Sequence, residues 1–358
     1  MDPDRSHSPR SRRPAAPASA RTALIAAVLL VAAPAAAADC TRTSTGLVPL
    51  SELDGELYLG LYPGALYPSG NRPPAGHALE GRARALAIRP LDGSGSPDPA
   101  GAWVLLSIGM SNTTQEFCSG GGGEPCASWS FMGQAAEHPA VRRDGLKIVN
   151  GALGGQATAT WDSPDDLNYD RLRDQVLAPR GLTEAQVVAA WVKLANAGPT
   201  VLLPDPGADA FALVGGSGSV MRALAARYPN LRLVFLSGRI YAGYASTGLN
   251  PEPFAYESGF AVKWLIEAQI HQSRTGEVDP VAGDLDPERF PWIGWGPYLW
   301  TAGMEGRSDG LTWEPGDVQA DGTHPSSSGE RKVGELLLEF FAGSPVAGCW
   351  FLAGLSCG

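Results

Sequence analysis

The chain has 358 residues, of which 44% are hydrophobic and ten are Trp, and its formal net charge is −10. This length is sufficient for one large α/β domain or two small ones, with ample apolar side chains for a core. Without residues 1–38, which carry five Arg and two Asp, the net charge falls to −13 and only four Lys remain. So acidic a chain lacks the cationic surface that phosphate backbones require, and we expect no nucleic-acid partner.

The N-terminus has the pattern of a secretory signal peptide. Several Arg precede an apolar run over 23–33, and the small residues at 36–38 stand directly before Asp39. The run is too short to span a bilayer, which takes roughly 20 residues. We therefore predict cleavage after Ala38, a secreted or periplasmic mature protein, and no membrane span.

Cysteines in an exported protein are disulfide candidates, and here they are Cys40, Cys118, Cys126, Cys349 and Cys357. Cys118 and Cys126 bracket a glycine run, whose conformational freedom a bridge would offset. Cys349 and Cys357 bracket the C-terminal tail. We predict these two pairs, although Cys40 could pair with either C-terminal cysteine instead. No Cys-x-x-Cys or His-x-x-x-His spacing occurs, so we predict no metal site.

The composition of the mature chain changes along its length. Residues 55–77 are rich in Tyr, Gly and Pro, which predicts short strands and turns rather than a helix. We predict a β- and turn-rich segment over 39–101 that packs on a main domain at 102–345. The remaining residues, 346–358, form a C-terminal tail.

The main domain alternates strand and helix patterns, which predicts an α/β fold with a parallel sheet covered on both faces. Strands are predicted at 102–108, 146–149 and 231–236. The first of them is almost entirely apolar, as expected for a strand that is buried on both sides. Residues 183–196 fit a helix or a strand, and we favour a short helix, capped by Thr183 and Gln186, that enters a strand.

Helices are predicted at 219–227, 257–272 and 327–343. The last is the clearest, because its apolar residues fall on one face at helical spacing: Val333, Leu336, Leu337, Phe340 and Phe341. Ser327 and Glu330 have the spacing of a capping box at its start, and Gly343 ends it.

Two turns follow predicted strands and carry candidate catalytic groups. The segment 109–112, Gly-Met-Ser-Asn, stands at the carboxyl end of the first strand, where open parallel sheets bind ligands. Ser111 could present its hydroxyl to a cleft there, or the segment could be a plain strand-ending turn. In the second turn, 150–156, adjacent Gly154 and Gly155 let the backbone approach a bound group, so that an N–H can stabilise an oxyanion.

The third candidate segment is Asp-Gly-Thr-His-Pro at 321–325, directly before the last predicted helix. Among the four histidines of the mature chain, His324 alone has a carboxylate three residues upstream in such a loop. A carboxylate at that position can hold an imidazole in the tautomer that general-base catalysis needs. The alternative is an Asx turn with an incidental histidine.

Together the three segments resemble the SGNH-hydrolase superfamily, which contains the GDSL esterases. Its members have a flavodoxin-like three-layer α/β/α fold, a nucleophilic serine, an oxyanion glycine in a second block, and Asp-x-x-His near the C-terminus. The resemblance implies Ser111 as nucleophile and oxyanion donor, Gly155 or Gly154 as a second donor, and Asp321 with His324 as the rest of a catalytic triad. It implies no metal or organic cofactor.

The form Gly-Met-Ser-Asn is similar to the Gly-Gln-Ser-Asn of the sialate-acetylesterase and acetylxylan-esterase branch, which also carries a Gly-Gly turn. The superfamily normally adds a third oxyanion donor, an Asn or Gln side chain from mid-chain, and neither of its usual motifs occurs here. Lys193 or Asn196 could substitute, or Lys193 could be a surface residue.

Further candidates flank the predicted cleft. Aromatic residues cluster just before the Asp/His loop: Trp292, Trp295, Tyr298 and Trp300. Because tryptophan rings stack on sugars, we predict that Trp292 and Trp295 bind substrate, with core packing as the alternative. Arg239 and Tyr241 follow the strand at 231–236 and either line the cleft or anchor their loop.

The sequence therefore predicts a secreted serine esterase that hydrolyses a short-chain, acetyl-type ester, with a saccharide as the expected alcohol part. Two alternatives stay open. One is a non-catalytic carbohydrate-binding protein on a hydrolase-like fold, and the other is a lipase or phospholipase of the same fold. The oligomeric state is not predicted.

Overall fold

A computed structural model describes residues 37–120 and 125–355. The predicted signal peptide lies outside the described residues except for Ala37 and Ala38, and so does Cys357. Within the described ranges, no helix combines the length and the apolar composition that a membrane span requires.

The strands and helices alternate along most of the chain. The strands are β1 (Leu57–Tyr58), β2 (Tyr62–Pro63), β3 (Trp103–Gly109), β4 (Leu146–Asn150), β5 (Val187–Lys193), β6 (Leu233–Leu236) and β7 (Trp292–Trp295). The helices are α1 (Ala75–Leu86), α2 (Ser111–Phe117), α3 (Phe131–Glu137), α4 (Leu167–Arg171), α5 (Asp209–Arg227), α6 (Phe254–Thr275), α7 (Ser327–Gly343) and α8 (Gly348–Phe351).

The centre of the fold is a five-stranded parallel sheet with the order β4-β3-β5-β6-β7. Every residue of β3 and β5 is buried, because both strands consist almost wholly of apolar residues and lie inside the sheet. Helices flank the sheet in two groups: α5 packs against α6, and α7 packs against α2, α3 and α8. Numbered by order in the chain, the strands run 2-1-3-4-5, which is the flavodoxin-like arrangement. The predicted fold class is confirmed.

The predicted strands correspond to β3, β4 and β6, and the ambiguous stretch is resolved as a 3-10 turn, Glu184–Gln186, that leads into β5. The side chain of Gln186 accepts from the backbone N–H of Thr183 at 3.0 Å, as the predicted cap requires. The helix predicted at 219–227 is only the C-terminal half of α5. The first half of α5 contains three glycines, which weaken the helical pattern in the sequence. Close packing requires one of them, because a Cβ at Gly218 would lie 2.0 Å from the Ala282 carbonyl oxygen.

Three local predictions need correction. The turn-rich stretch 55–77 does contain β1 and β2, but it runs into α1, which was not predicted. Strand β7 was not predicted either, because its four residues include a glycine and have no alternating pattern. The N-cap of α7 is Ser326 rather than Ser327: its hydroxyl accepts from the Gly329 N–H at 3.5 Å.

The described cysteines agree in part with the predicted pairing. Cys118 and Cys126 form a disulfide. Cys40 is free and exposed, so the alternative pairing with a C-terminal cysteine is not adopted. Cys349 is disulfide-bonded, and Cys357, the partner predicted for it, lies outside the described residues.

Candidate active site

Ser111 stands at the carboxyl edge of the sheet, as the first residue of α2 and two residues beyond the end of β3. The turn that carries it is tightly packed. A Cβ at Gly109 would lie 2.3 Å from the Thr113 hydroxyl oxygen and 2.4 Å from the Lys193 carbonyl oxygen, so only glycine fits. The strand-to-helix turn therefore projects the serine from a rigid support.

The loop before α7 brings His324 to this serine. The Ser111 Oγ and His324 Nε2 atoms are 2.7 Å apart, and His324 Nδ1 lies 2.5 Å from Asp321 Oδ2. The side chains of His324 and Asp321 keep 20% and 26% of their surface exposed, so the site is open to a ligand. The structure thus brings together the three side chains that the motifs predicted.

Asp321 is held by its own loop. Its Oδ1 accepts the backbone N–H groups of Thr323 and His324 at 2.9 and 3.0 Å. Burial acts to raise the pKa of Asp321, but the hydrogen bonds from His324 and Thr323 outweigh it and hold this pKa below its usual value. Asp321 is therefore an ionised acceptor at neutral pH, which suits a group that orients an imidazole.

The glycine turn after β4 lies beside the serine. A Cβ at Gly154 would lie 3.7 Å from the Ser111 Cβ, and the N–H of Leu153 donates to the Gly109 carbonyl oxygen at 3.1 Å. Among the described residues, no hydrogen bond uses the N–H of Gly154 or Gly155. Neither N–H is therefore used by another group of the described chain.

The predicted substitutes for the third oxyanion donor are engaged elsewhere. Lys193 is 0% exposed, and its Nζ donates to both carboxylate oxygens of Glu116 at 2.5 and 2.6 Å. Asn196 donates its amide to the Asp209 carbonyl oxygen at 3.1 Å. The oxyanion role predicted for Lys193 is therefore corrected to a buried ion pair, and its alternative as a surface residue is excluded as well.

Four predicted substrate-binding residues lie in the core. Trp292 and Trp295 are 3% and 4% exposed, and their indole N–H groups donate to backbone oxygens of His77 and Leu66 in the N-terminal segment. Their rings are therefore covered by protein rather than open to a sugar. Tyr241, 1% exposed, donates its hydroxyl to the Arg42 carbonyl oxygen.

Arg239 is the fourth of these residues, and it is 2% exposed. Its Nη1 lies 3.5 Å from the Asn112 Oδ1, and its Nη2 donates to the Leu249 carbonyl oxygen at 3.2 Å. Arg239 therefore supports the residue next to Ser111 and does not face a substrate cleft, which favours the loop-anchoring alternative.

A groove of about 630 Å³ begins at Leu153 and Gln156 in the glycine turn and runs along α4. Its lining combines amide and carboxylate side chains with the two exposed leucines Leu153 and Leu167. This groove was not predicted, because no motif marks the residues of α4. Its nearest approach to the serine in the chain fold is Leu153, which is next to Gly154.

Two residues of the site were missed by the sequence analysis as well. Asn112 and Glu116 are 1% and 0% exposed on the helix that begins with Ser111. Asn112 was quoted only as part of the motif, and Glu116 lies one and a half helical turns after Ser111 with no motif around it. Within the described part of the chain, no group of three or more His, Cys, Asp or Glu side chains could hold a metal ion.

No protein-family model matches the chain, and no curated protein is significantly similar to it. Solved structures do resemble it. A carbohydrate esterase family 2 enzyme with a carbohydrate-binding domain from Corynascus thermopiles (Myceliophthora fergusii) has a TM-score of 0.37 and 14% identity, over 68% of this chain and 67% of that one. An extracellular lipase from Streptomyces rimosus has a TM-score of 0.33 and 15% identity, over 67% of this chain and 100% of that one. A catalytic mutant of an acetylxylan esterase from Geobacillus stearothermophilus has a TM-score of 0.34 and 13% identity, over 70% of this chain and 96% of that one.

The order of the parallel strands and the positions of the three motifs agree with the arrangement that the sequence resemblance implies. Ser111 follows β3, the glycine turn follows β4, and the Asp-x-x-His loop precedes α7, all at one edge of the sheet. The chain thus has a flavodoxin-like parallel sheet with the three predicted motifs at one edge.

Proposed function

We propose that this protein is a serine ester hydrolase with Ser111, His324 and Asp321 as its catalytic triad. The observation that carries the proposal is the chain of two hydrogen bonds, 2.7 Å from Ser111 to His324 and 2.5 Å from His324 to Asp321. A nucleophile, a base within hydrogen-bond reach and a third group that orients the base are the parts that covalent acyl transfer needs.

The reaction proceeds in two steps. His324 Nε2 accepts the proton of the Ser111 hydroxyl while Oγ attacks the ester carbonyl carbon, and the imidazolium then gives this proton to the departing alcohol. In the second step a water molecule loses a proton to His324 and attacks the acyl-enzyme, which releases the acid and restores Ser111. The backbone N–H groups of Ser111 and of Gly154 or Gly155 would stabilise the oxyanion in both steps.

For the substrate, we propose a short acyl group such as acetate on a saccharide. The groove along α4 supports a polar alcohol part, because the exposed amide of Gln175 lines it and amide groups bind hydroxyls well. The buried tryptophans no longer contribute to this proposal. Export through the predicted signal peptide is proposed with it, and the Cys118–Cys126 disulfide is consistent with an oxidising compartment.

Hydrolysis of an activated acetate ester tests the proposal. We expect turnover by the mature chain, 39–358, and a loss of about 10³-fold or more in both Ser111→Ala and His324→Ala. Equal activity in the wild type and in Ser111→Ala would overturn the assignment of the nucleophile. If all three proteins are inert on activated esters of every chain length, the non-catalytic carbohydrate-binding alternative gains support.

One observation favours a second candidate, a lipase. Leu153 and Leu167 are 37% and 83% exposed and line the same groove, where they could contact a longer acyl chain. A series of activated esters from acetate to a long-chain acid separates the two candidates. We expect kcat/KM to fall as the acyl chain lengthens, whereas a rise would identify the lipase.

A further inference from the structure

A buried ion pair between α2 and β5, formed by Glu116 and Lys193, has no role in the proposed mechanism. Glu116 and Lys193 are both 0% exposed, and the Lys193 ammonium donates to both oxygens of the Glu116 carboxylate at 2.5 and 2.6 Å. Burial lowers the pKa of Lys193 to about 8, in spite of the opposing effect of the Glu116 charge. Among the ion pairs between described residues, this one alone has both side chains fully enclosed.

The pair connects two elements that define the position of Ser111. Glu116 lies on α2, five residues after the serine, and Lys193 is the last residue of β5, paired in the sheet with Gly109. The backbone of Lys193 contacts the same helix, because its carbonyl oxygen accepts the Thr113 hydroxyl at 2.8 Å. Lys193 therefore binds α2 at two points, one from its main chain and one from its side chain.

Stability alone is a poor explanation for such a pair. Desolvation of two charges costs about as much as their attraction returns, and apolar residues of similar volume are often as stable. The pair instead fixes the geometry of α2 relative to β5, because a bidentate, charge-assisted contact constrains both the distance and the orientation of the two side chains. Two side chains from other elements also act on the Glu116 carboxylate: Arg239 from the loop after β6 and His324 from the loop before α7.

We propose that Glu116 and Lys193 are positioning residues for the ester hydrolysis: their ion pair fixes the first turns of α2 against β5 and so holds the Ser111 hydroxyl at the His324 imidazole. This inference rests on the proposed function, since it concerns the nucleophile of that reaction. Neither side chain touches the substrate. Their removal should therefore lower the rate of the chemical step and leave substrate binding unchanged.

The test compares the apolar double variant Glu116→Leu/Lys193→Met with the wild type. We expect a folded protein whose urea midpoint stays within about 0.5 M of the wild type, because both charges leave together. We expect kcat for an activated acetate ester to fall about 10- to 100-fold with KM within about twofold, since a small displacement of a nucleophile has effects of this size. The reversed pair, Glu116→Lys/Lys193→Glu, should recover part of the lost kcat.

Two further variants make the test specific. Lys263→Met removes a buried lysine from α6, and we expect it to leave kcat unchanged. Glu116→Gln keeps the shape of the side chain but leaves the Lys193 amine only one amide oxygen as acceptor in place of the bidentate carboxylate. We therefore expect about a threefold or greater loss in kcat even if the double variant does not fold.

The outcomes separate the two proposals. Suppose that the wild type hydrolyses esters through Ser111. If the apolar double variant or Glu116→Gln then folds and keeps the wild-type kcat, the positioning role is wrong and the proposed function stands. A fall in kcat together with an equal fall for Lys263→Met also overturns it, because the loss would then follow from any buried lysine. If the wild type shows no Ser111-dependent hydrolysis, the proposed function itself fails.

Discussion

Asn112, which follows Ser111 in the chain, donates its side-chain amide to the carbonyl oxygen of Thr323, which precedes His324, over 2.9 Å. Both residues are buried, and each has only 1% of its surface exposed. The bond joins the helix of the proposed nucleophile to the loop of the proposed base, across more than half of the chain. A second hydrogen bond, between their neighbours in the chain, thus supports the 2.7 Å distance between Ser111 and His324.

Replacement of Asn112 by leucine should separate the two segments. Asn112→Leu keeps the volume of the side chain but leaves the buried Thr323 carbonyl without its donor, which costs about 1–3 kcal/mol of unfolding free energy. We expect a fall in kcat of about tenfold, measured with an activated acetate ester. Gln115→Leu, on the same helix, is the control and should have little effect. Equal effects of the two substitutions would show that the bond from Asn112 to Thr323 does not position the catalytic groups.

Gly322 shapes the loop between Asp321 and His324. Its φ angle is +67°, and a Cβ there would lie 2.0 Å from the Tyr244 carbonyl oxygen. We expect Gly322→Ala to displace the loop and to lower kcat/KM by at least about 100-fold, because the imidazole loses its alignment. Gly310→Ala is a matched control: its φ is +87°, with no atom within 4 Å of the added Cβ. If both variants lose the same activity, backbone strain alone accounts for the effect.

Glu257 should make stability depend on pH. It is 2% exposed, and burial raises its pKa from 4.5 to about 7, although hydrogen bonds from Leu203 and Tyr58 act against this. Between these two pH values the native state binds more protons than the unfolded state, so the wild type loses stability as the pH rises toward 7.

The variant Glu257→Gln lacks this titration. We expect its unfolding free energy, relative to the wild type, to increase by on the order of 2 kcal/mol between pH 5 and pH 8. Urea unfolding at several pH values measures the difference. A difference that stays constant over this range would show that Glu257 does not titrate there.

The disulfide between Cys118 and Cys126 closes a short loop at the end of α2, with a sequence separation of 8. We expect Cys118→Ser/Cys126→Ser to lower the unfolding free energy by about 2–3 kcal/mol, chiefly because the unfolded chain regains freedom. Cys40→Ser, at the free and exposed cysteine, should change it by less than about 0.5 kcal/mol. An unchanged stability of the double variant would mean that the bridge does not constrain the unfolded state.

Local pattern and spacing were enough for the parts of the site that form within short segments. The buried strand before Ser111, the double glycine after β4 and the three-residue spacing of Asp321 and His324 each have a local signature, and the parallel sheet brings them to one edge. Partners that are distant in the chain have no such signature. Lys193 meets a carboxylate 77 residues away, and the indole of Trp292 meets a carbonyl oxygen 215 residues away. Lys193 and Trp292 were therefore predicted to face a ligand, whereas tertiary packing encloses both side chains.

The proposed reaction requires that Ser111 is a nucleophile activated by His324. A fluorophosphonate reagent that labels activated serines, followed by peptide mass spectrometry, tests it most directly, because the adduct marks the attacking atom. We predict one adduct, on Ser111, and labelling that slows by about 10³-fold or more in His324→Ala. An adduct on another residue, or equal labelling of Ser111→Ala, would contradict it.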